Sequence, residues 1–298
     1  MNNSDELLNH NEKEKKCYYC GSCETNLISE TNLKNCIFCN SELQDIIKKN
    51  SIKYNYIIPF KKTKKDFISL VKKHISKKVF ISSKFNISKN INNIFGIYVP
   101  VWFFDFETNG EVSFECKKIT KFKSKKNKYV KTDSHLVTIG GSMNFSNVEV
   151  YTSKIYKHEI FNSFNYNELK DFDNSYLNDY ILEQQNLKIK DTINLGELSV
   201  KEMFIKKLQK EIKQYDSCNI QDSSINLNNI KKHCVLVPLW IFRVNYKGKV
   251  YNIVCNGESG KIFEDIPISK KKIFLIWLLL FIISFSLLYI LFNYKVML

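Results

Sequence analysis

The sequence predicts an α+β protein with three parts. These are an N-terminal four-cysteine zinc ribbon, a body made of a duplicated helix plus antiparallel β-meander, and a single C-terminal transmembrane helix. Three observations predict this arrangement. Two cysteine pairs lie near the N-terminus, one strand-like stretch occurs twice, and a long uncharged stretch lies near the C-terminus.

The composition fits a folded domain with a basic surface. Of the 298 residues, 44% are hydrophobic, which is enough for a packed core, and the formal net charge is +15. Arg243 is the only arginine and there is no alanine, a bias typical of an AT-rich genome. Arginine makes the commonest specific contacts to bases, so we interpret the lysines mainly as solvated surface, with attraction to an anionic membrane leaflet.

Changes in composition and pattern along the chain predict six segments. They are a disordered tail (1–16), a zinc ribbon (17–41), a first α+β repeat (56–150), linking helices (151–198), a second α+β repeat (199–269) and a transmembrane helix (273–292).

The cysteine pairs predict a structural metal site. Two residues separate Cys17 from Cys20 and Cys36 from Cys39, and fifteen residues lie between the pairs. Four-cysteine zinc sites have this spacing, because two thiolates three residues apart can bind one ion across a tight turn. We predict a structural Zn²⁺ bound by Cys17, Cys20, Cys36 and Cys39.

Cys23 offers an alternative first pair with Cys20. Gly21 follows Cys20 and allows the backbone to turn back, whereas Glu24 follows Cys23, so the pair Cys17 and Cys20 is preferred. Nine cysteines is an odd count, and clustering in a predicted cytoplasmic segment favours metal over disulfides. A closed four-thiolate site leaves no position for water, which argues against zinc catalysis. A reduced cluster without metal is the alternative.

The body begins with a predicted helix. Thr63 and Asp66 resemble a capping box, in which each residue bonds the other's backbone amide. Phe67, Leu70 and Val71 follow at helical spacing and define the face that packs on the core.

A strand-like stretch occurs twice in the body. Residues 98–114 align without a gap on residues 236–252. Each copy predicts a strand, a glycine turn and a returning strand, and each follows a helix, the second one capped by Ser199 with Glu202. Helices are offset by 136 residues and strands by 138, which predicts a duplication. The shared positions are Val99/Val237, Pro100/Pro238, Trp102/Trp240, Phe104/Phe242, Gly110/Gly248 and Val112/Val250.

Several further elements complete the body. The second copy continues through turn dipeptides into a third short strand at 261–264. Residues 117–131 are lysine-rich and predict a long hairpin tip or a loop. Residues 161–185 predict linking helices, and 217–229 predict a loop. The equivalent positions Asp105 and Arg243 have opposite charges, and we hypothesise an ion pair between them.

The stretch 273–292 predicts a transmembrane helix. Its length corresponds to roughly 30 Å, the thickness of a bilayer's hydrocarbon core. Lys270, Lys271 and Lys272 precede it, whereas Lys295 alone follows. The positive-inside rule therefore places the large N-terminal portion in the cytoplasm. With no apolar signal region at the start and six residues after the span, we expect a tail anchor that crosses the cell membrane once.

A set of short motifs extends over most of the chain: the Cys17/Cys20-Gly21 and Cys36/Cys39 pairs, Ile57-Ile58-Pro59-Phe60, Gly96, Tyr98, Pro100, Trp102, Pro238, Trp240, Asn256-Gly257, Gly260 and Lys261. In combination these motifs resemble a bacterial family described as TFIIB-type zinc-ribbon-containing proteins. The chain departs from the family pattern in its extra Cys23 and in Asn40, where glycine is usual. The resemblance implies bacterial origin and a zinc ribbon, and brings no catalytic residues. The closing hairpin is also similar to PepSY-type modules, by analogy alone.

No catalytic motif, phosphate loop or nucleotide-binding glycine pattern occurs in the sequence. The leading hypothesis is a membrane-tethered cytoplasmic module that binds a protein partner as an adaptor. The alternative is a nucleic-acid-binding zinc-ribbon protein held at the membrane, in which the lysines of 117–131 contact phosphates and Phe122 and Tyr129 stack on bases. A third hypothesis is an enzyme whose site the sequence does not reveal. No small-molecule substrate is indicated.

Overall fold

The protein is a mixed α+β structure made mostly of strands, as predicted. The computed structural model describes residues 15–47, 53–78, 80–81, 85, 91–124, 127–151, 153, 155–184, 189–264, 266 and 269–297. The strands are β1 (Lys16–Cys20), β2 (Thr25–Ser29), β3 (Gln44–Ile46), β4 (Tyr56–Ile57), β5 (Ile94–Ser124), β6 (Asn127–Tyr151), β7 (Lys170–Asp171), β8 (Ile181–Gln184), β9 (Ser217–Tyr246), β10 (Lys249–Asn256) and β11 (Ile262–Glu264). The α-helices are α1 (Lys64–Ser76), α2 (His158–Phe161), α3 (Ile189–Glu211) and α4 (Lys270–Met297).

One sheet connects the cysteine-rich N-terminus to the body. Its main path runs β11-β10-β9-β5-β8-β2-β1-β3. β5 pairs with β9 along one edge and with β8 and then β6 along the other. The short parallel pairing of β5 with β8 therefore links the body to β2, the second strand of the predicted ribbon.

Helix α1 forms as predicted. Thr63 and Asp66 make the reciprocal capping box, which satisfies amides at the helix N-terminus. Phe67 and Val71 are buried, and the Phe67 ring stacks on Trp240 with centroids 6.0 Å apart. Helix α1 thus covers the core on the β9–β10 side.

Helix α3 is longer than predicted. It begins at Ile189, so Ser199 lies inside the helix and the predicted capping box at Ser199 is wrong. Val200, Phe204 and Leu208 are nevertheless buried, because the helical spacing holds on both sides of that point. They pack with Trp102 against the β5–β6 side of the sheet.

The first copy of the predicted repeat lacks the glycine turn that the sequence predicts. β5 runs straight through Gly110, which pairs with Gly141 on one side and Ile225 on the other. A Cβ at Gly110 would lie 2.2 Å from the Ser224 carbonyl oxygen, so glycine allows close strand approach here. The second turn is confirmed: Lys247 and Gly248 adopt φ of 53° and 74° between β9 and β10.

Two other segments also differ from prediction. In 161–185 the described residues form the end of α2, a 3-10 turn at Asn174–Leu177, β7 and β8, so that segment is only partly helical. All four residues of β8 are buried, which masks the alternation that marks a strand. The predicted loop at 217–229 is wrong: it belongs to β9, whose polar residues lie exposed while β5 satisfies their backbone.

The C-terminal helix α4 is long and apolar enough to cross a membrane. Within the described residues it is the one helix with this property, over Lys270–Tyr289, with a mean hydropathy of 2.3 and no part of the window buried. Ser284 and Ser286 donate to carbonyls of their own helix, which lowers the cost of a hydroxyl in an apolar environment.

Candidate metal centre

Four cysteine thiols converge beside the sheet and could hold one metal ion. The sulfurs of Cys20, Cys23, Cys36 and Cys39 all lie within 4.8 Å of one another. Three of the distances are 3.4 Å (Cys20 to Cys39), 3.5 Å (Cys23 to Cys36) and 3.7 Å (Cys23 to Cys39). A tetrahedral ion with metal–sulfur bonds near 2.3 Å places its sulfurs about 3.8 Å apart, so the cluster needs little adjustment.

Two similar turns present these thiols. Cys20 ends β1 and Cys23 lies in the turn to β2, while Cys36 and Cys39 lie in a second turn. The residue after each second cysteine is left-handed: Glu24 has φ of 53° and Asn40 has φ of 66°. Asparagine tolerates this conformation better than most residues do, so Asn40 can stand where glycine is usual. Each turn thereby closes one half of the cluster.

The cluster contains three of the four cysteines that the sequence predicts, and Cys23 occupies the place predicted for Cys17. Side chains alternate along a strand, so Cys17 and Cys20 point to opposite faces of β1. Cys17 is buried with Ile28 and Ile46, away from the thiol cluster. The alternation of side chains along the strand 16–20 was the sequence signal against Cys17, and it was overlooked because the spacing of Cys17 and Cys20 matches that of a zinc site. Glu24 rather than Gly21 adopts the left-handed conformation, so Gly21 gives no reason to prefer Cys17.

The hydrogen bonds between the thiols make them unequal. The pKa of Cys36 is lowered to about 5, first by its hydrogen bond with Cys23 and further by the amides of Cys39 and Phe38. The same contact, together with burial, raises the pKa of Cys23. Burial raises the pKa of Cys20. Cys36 is thus the thiol of this cluster that ionises most readily, and a bound cation would displace the protons of the others.

Two side chains from the body anchor the second turn. The Arg243 guanidinium donates to the Cys36 carbonyl, and the Asn252 amide donates to the Phe38 carbonyl over 3.2 Å. The hypothesised ion pair of Asp105 with Arg243 is wrong, because Asp105 instead accepts from the Asn147 amide. The sequence did not predict that Arg243 would bind the second cysteine turn, although Arg243 is the only arginine in the sequence.

The remaining cysteines lie elsewhere in the body. Cys116 and Cys218 face each other across β5 and β9 and form a disulfide. The expectation that the cysteines form no disulfides is therefore wrong for this pair. Cys234 and Cys255 are buried, and burial raises the pKa of both thiols. The disulfide partners are 102 residues apart in sequence, so only strand register identifies them.

No family model matches the chain, and no solved structure matches it. It is similar to the uncharacterized protein YdjG of Bacillus subtilis (strain 168), with 25% identity over 220 residues. The match covers 73% of this chain and 64% of that protein, so the chain spans less than two thirds of its relative's length.

Proposed function

We propose that the protein is a membrane-tethered interaction module whose N-terminal ribbon is stabilised by a structural zinc ion. The closed four-thiol cluster carries this proposal. Four sulfurs fill a tetrahedral shell and leave no position for water or substrate, as in structural rather than catalytic zinc sites. Membership of the TFIIB-type zinc-ribbon family, implied by the sequence resemblance, is part of the same proposal.

Zinc is the ion that best fits this donor set. Soft thiolate ligands in a tetrahedral arrangement favour zinc or iron–sulfur chemistry, and two turns around one shared centre suit a single ion. Cys20 and Cys36 are fully buried beside Ile37 and Phe38, so the ion would fix the turns against the body. Ligand thiolates would release their protons on binding, which couples metal affinity to folding and pH.

The ribbon forms a rigid part of the proposed module. β2 pairs with β8, and Arg243 and Asn252 hold the second turn against β9 and β10. A partner that contacts the ribbon would therefore meet a preorganised surface, which lowers the entropy cost of binding.

Helix α4 supplies the proposed tether. We place the body on the cytoplasmic side of the cell membrane, because Lys270, Lys271 and Lys272 precede the apolar span. The Cys116–Cys218 disulfide is the one feature of the described body that opposes this side, since disulfides are rare in the cytoplasm. Lys272 donates to the Ile81 carbonyl, so the start of the helix contacts the body directly. The tether would raise the effective concentration of the module for a membrane partner.

The test is crosslinking and affinity purification of the full chain from detergent-solubilised membranes. Three chains are compared: wild type, Cys36→Ser and the matched control Cys17→Ser. We expect wild type and Cys17→Ser to retain zinc and capture the same protein partner, and Cys36→Ser to lose both. A partner retained equally by Cys36→Ser would contradict a role for the ribbon in binding. Zinc-replete protein that captures no partner would contradict the interaction module.

A further inference from the structure

The β5–β6 hairpin projects beyond the rest of the sheet. β9 begins at Ser217, opposite Lys117, and α3 ends at Glu211. Asp216 closes this boundary, since its carboxylate accepts from the Ile119 amide over 2.5 Å. Beyond it, residues 119–124 and 127–132 form a two-stranded ribbon whose described residues pair only with each other. We call these residues the basic ribbon.

Charge is concentrated at this ribbon. Residues 117–131 contain eight lysines and no acidic residue, so they account for more than half of the net charge of +15. Lys123 and Lys128 are directly opposite across the strands, an arrangement that like-charge repulsion disfavours. Lys131 pairs with Asp133 over 3.0 Å at the base of the ribbon. An external anion bound between these ammonium groups would offset the repulsion.

Exposed apolar side chains accompany these lysines. The rings of Phe122 and Tyr129 stack with centroids 5.7 Å apart, yet are 49% and 46% exposed. Val130 is 62% exposed and Ile119 is 40% exposed, and by strand alternation both lie on the opposite face. Both faces of the basic ribbon therefore carry apolar groups among ammonium groups.

We propose that the basic ribbon is a second membrane contact, which binds the anionic headgroups of the membrane that α4 enters. A lipid interface accepts both kinds of group, because ammonium groups meet lipid phosphates while rings and aliphatic chains enter the acyl boundary. Nucleic acid fits less well. Aliphatic Val130 and Ile119 have no stacking role, and the ribbon has no arginine fork for bases or phosphates.

The proposal fixes the orientation of the sheet. Strand pairing aligns Glu264 at the end of β11 with Ile253, Phe242 and Ile94, so α4 starts near the first residue of β5. The basic ribbon lies at the other end of this 31-residue strand, roughly 100 Å away in extended backbone. Both contacts form together only if the long axis of the sheet runs along the membrane. The tether makes the second contact intramolecular, so a weak intrinsic affinity suffices.

This inference rests on the proposed anchor, and lysine footprinting of the reconstituted full chain tests it. The chain is placed in vesicles of phosphatidylcholine alone or of an equimolar mixture with phosphatidylglycerol. A membrane-impermeant amine-reactive ester then labels outward-facing lysines, and mass spectrometry quantifies Lys121, Lys123 and Lys128. We expect labelling to fall by at least about threefold in anionic vesicles, the factor by which a surface potential near −30 mV changes the local concentration of a unit charge.

Two variants separate this contact from general charge effects. The triple variant Lys121→Gln/Lys123→Gln/Lys128→Gln should abolish the protection of Lys118. The matched control removes the same charge from the exposed side chains Lys206, Lys210 and Lys213 and should leave that protection intact.

The possible failures are distinguishable. Extraction of the chain by alkaline carbonate overturns the anchor and this proposal with it. If the anchor is intact and the lysines of the basic ribbon are labelled equally in both kinds of vesicle, the membrane contact of the basic ribbon alone is overturned. If added DNA or RNA protects these lysines from labelling and phosphatidylglycerol does not, the basic ribbon binds nucleic acid, and the proposal is also overturned.

Discussion

Val99 and Val237 pair with each other across β5 and β9, and each is the other's counterpart in the predicted repeat. The neighbouring pairs are also related by the offset of the predicted repeat. Trp102 pairs with Cys234 and Trp240 pairs with Gly96, and the 138-residue offset converts each of these two pairs into the other. A local two-fold axis therefore passes through the Val99–Val237 pair. Duplication stays a prediction, and this register is the one it requires.

The helices are exchanged between the two predicted copies. Helix α1 of the first copy packs on Trp240 of the second, and α3 of the second packs in the cluster that contains Trp102 of the first. Each tryptophan core therefore needs both copies, and we expect the body to unfold as one unit.

Truncating either tryptophan should destabilise the whole body. Trp102 and Trp240 are each 6% exposed, so Trp102→Ala and Trp240→Ala should each lower the free energy of unfolding by about 3–5 kcal/mol. Leu136→Ala, at a side chain 74% exposed, should change it by less than about 0.5 kcal/mol. Urea unfolding in detergent measures all three. A variant that loses only one half of the transition would contradict the single unit.

Local features of the fold were predictable from the sequence where short-range physics decides them. The Thr63 capping box, the buried faces of α1 and α3, the turn at Gly248 and the short strand β11 all follow from residues close together in the chain.

Features that depend on distant partners were not predictable. Nothing near Gly110 indicates that β9 and β6 flank it and keep β5 extended. The polar start of β9 becomes a strand only because β5 offers its edge. Likewise, Cys23 replaces Cys17 because β1 pairs with β2 and β3, which fixes the strand face on which each thiol lies.

Metal binding should depend on Cys23 and not on Cys17. Cys23→Ser and Cys36→Ser should each remove most of the bound zinc, because three thiolates leave the tetrahedral shell incomplete. Cys17→Ser should keep one zinc per chain, since that side chain packs on the other face of β1. Metal analysis of the purified chains measures the stoichiometry. The reverse pattern, with loss in Cys17→Ser and retention in Cys23→Ser, would restore the ligand set originally predicted.

Arg243 should hold the second cysteine turn in place. Arg243→Gln removes the charged donor to the Cys36 carbonyl, so we expect a loss of about 1.5–3 kcal/mol of stability. Zinc transfer to a chelator should also become faster. Arg243→Lys should rescue little, because an ammonium group lacks the planar fork.

The control for Arg243 is Asp105→Asn. Asp105 binds the Asn147 amide, so the effects of Asp105→Asn and Arg243→Gln should add in the double variant. A coupling above about 0.5 kcal/mol would bring back the ion pair that the structure excludes.

Glu183 should make stability fall as pH rises. Glu183 is buried on β8, and this burial is the main reason why the pKa of its carboxyl group is raised from 4.5 to about 7. The native chain therefore holds this proton more tightly than the unfolded chain does. Full stability is present below about pH 4.5 and is lost as pH rises through about 7, with a total loss of about 3 kcal/mol. Glu183→Gln should remove this dependence.

The measurement compares urea unfolding of wild type and Glu183→Gln between about pH 5 and pH 8, with zinc in excess so that the cysteine centre contributes equally to both. Because the introduced amide itself changes a buried hydrogen-bonding group, the absolute stabilities can differ at every pH. The informative quantity is the difference between the chains, which should shift in favour of the variant as pH rises. Parallel profiles would show that Glu183 is ionised in the folded protein at the same pH as in the unfolded chain.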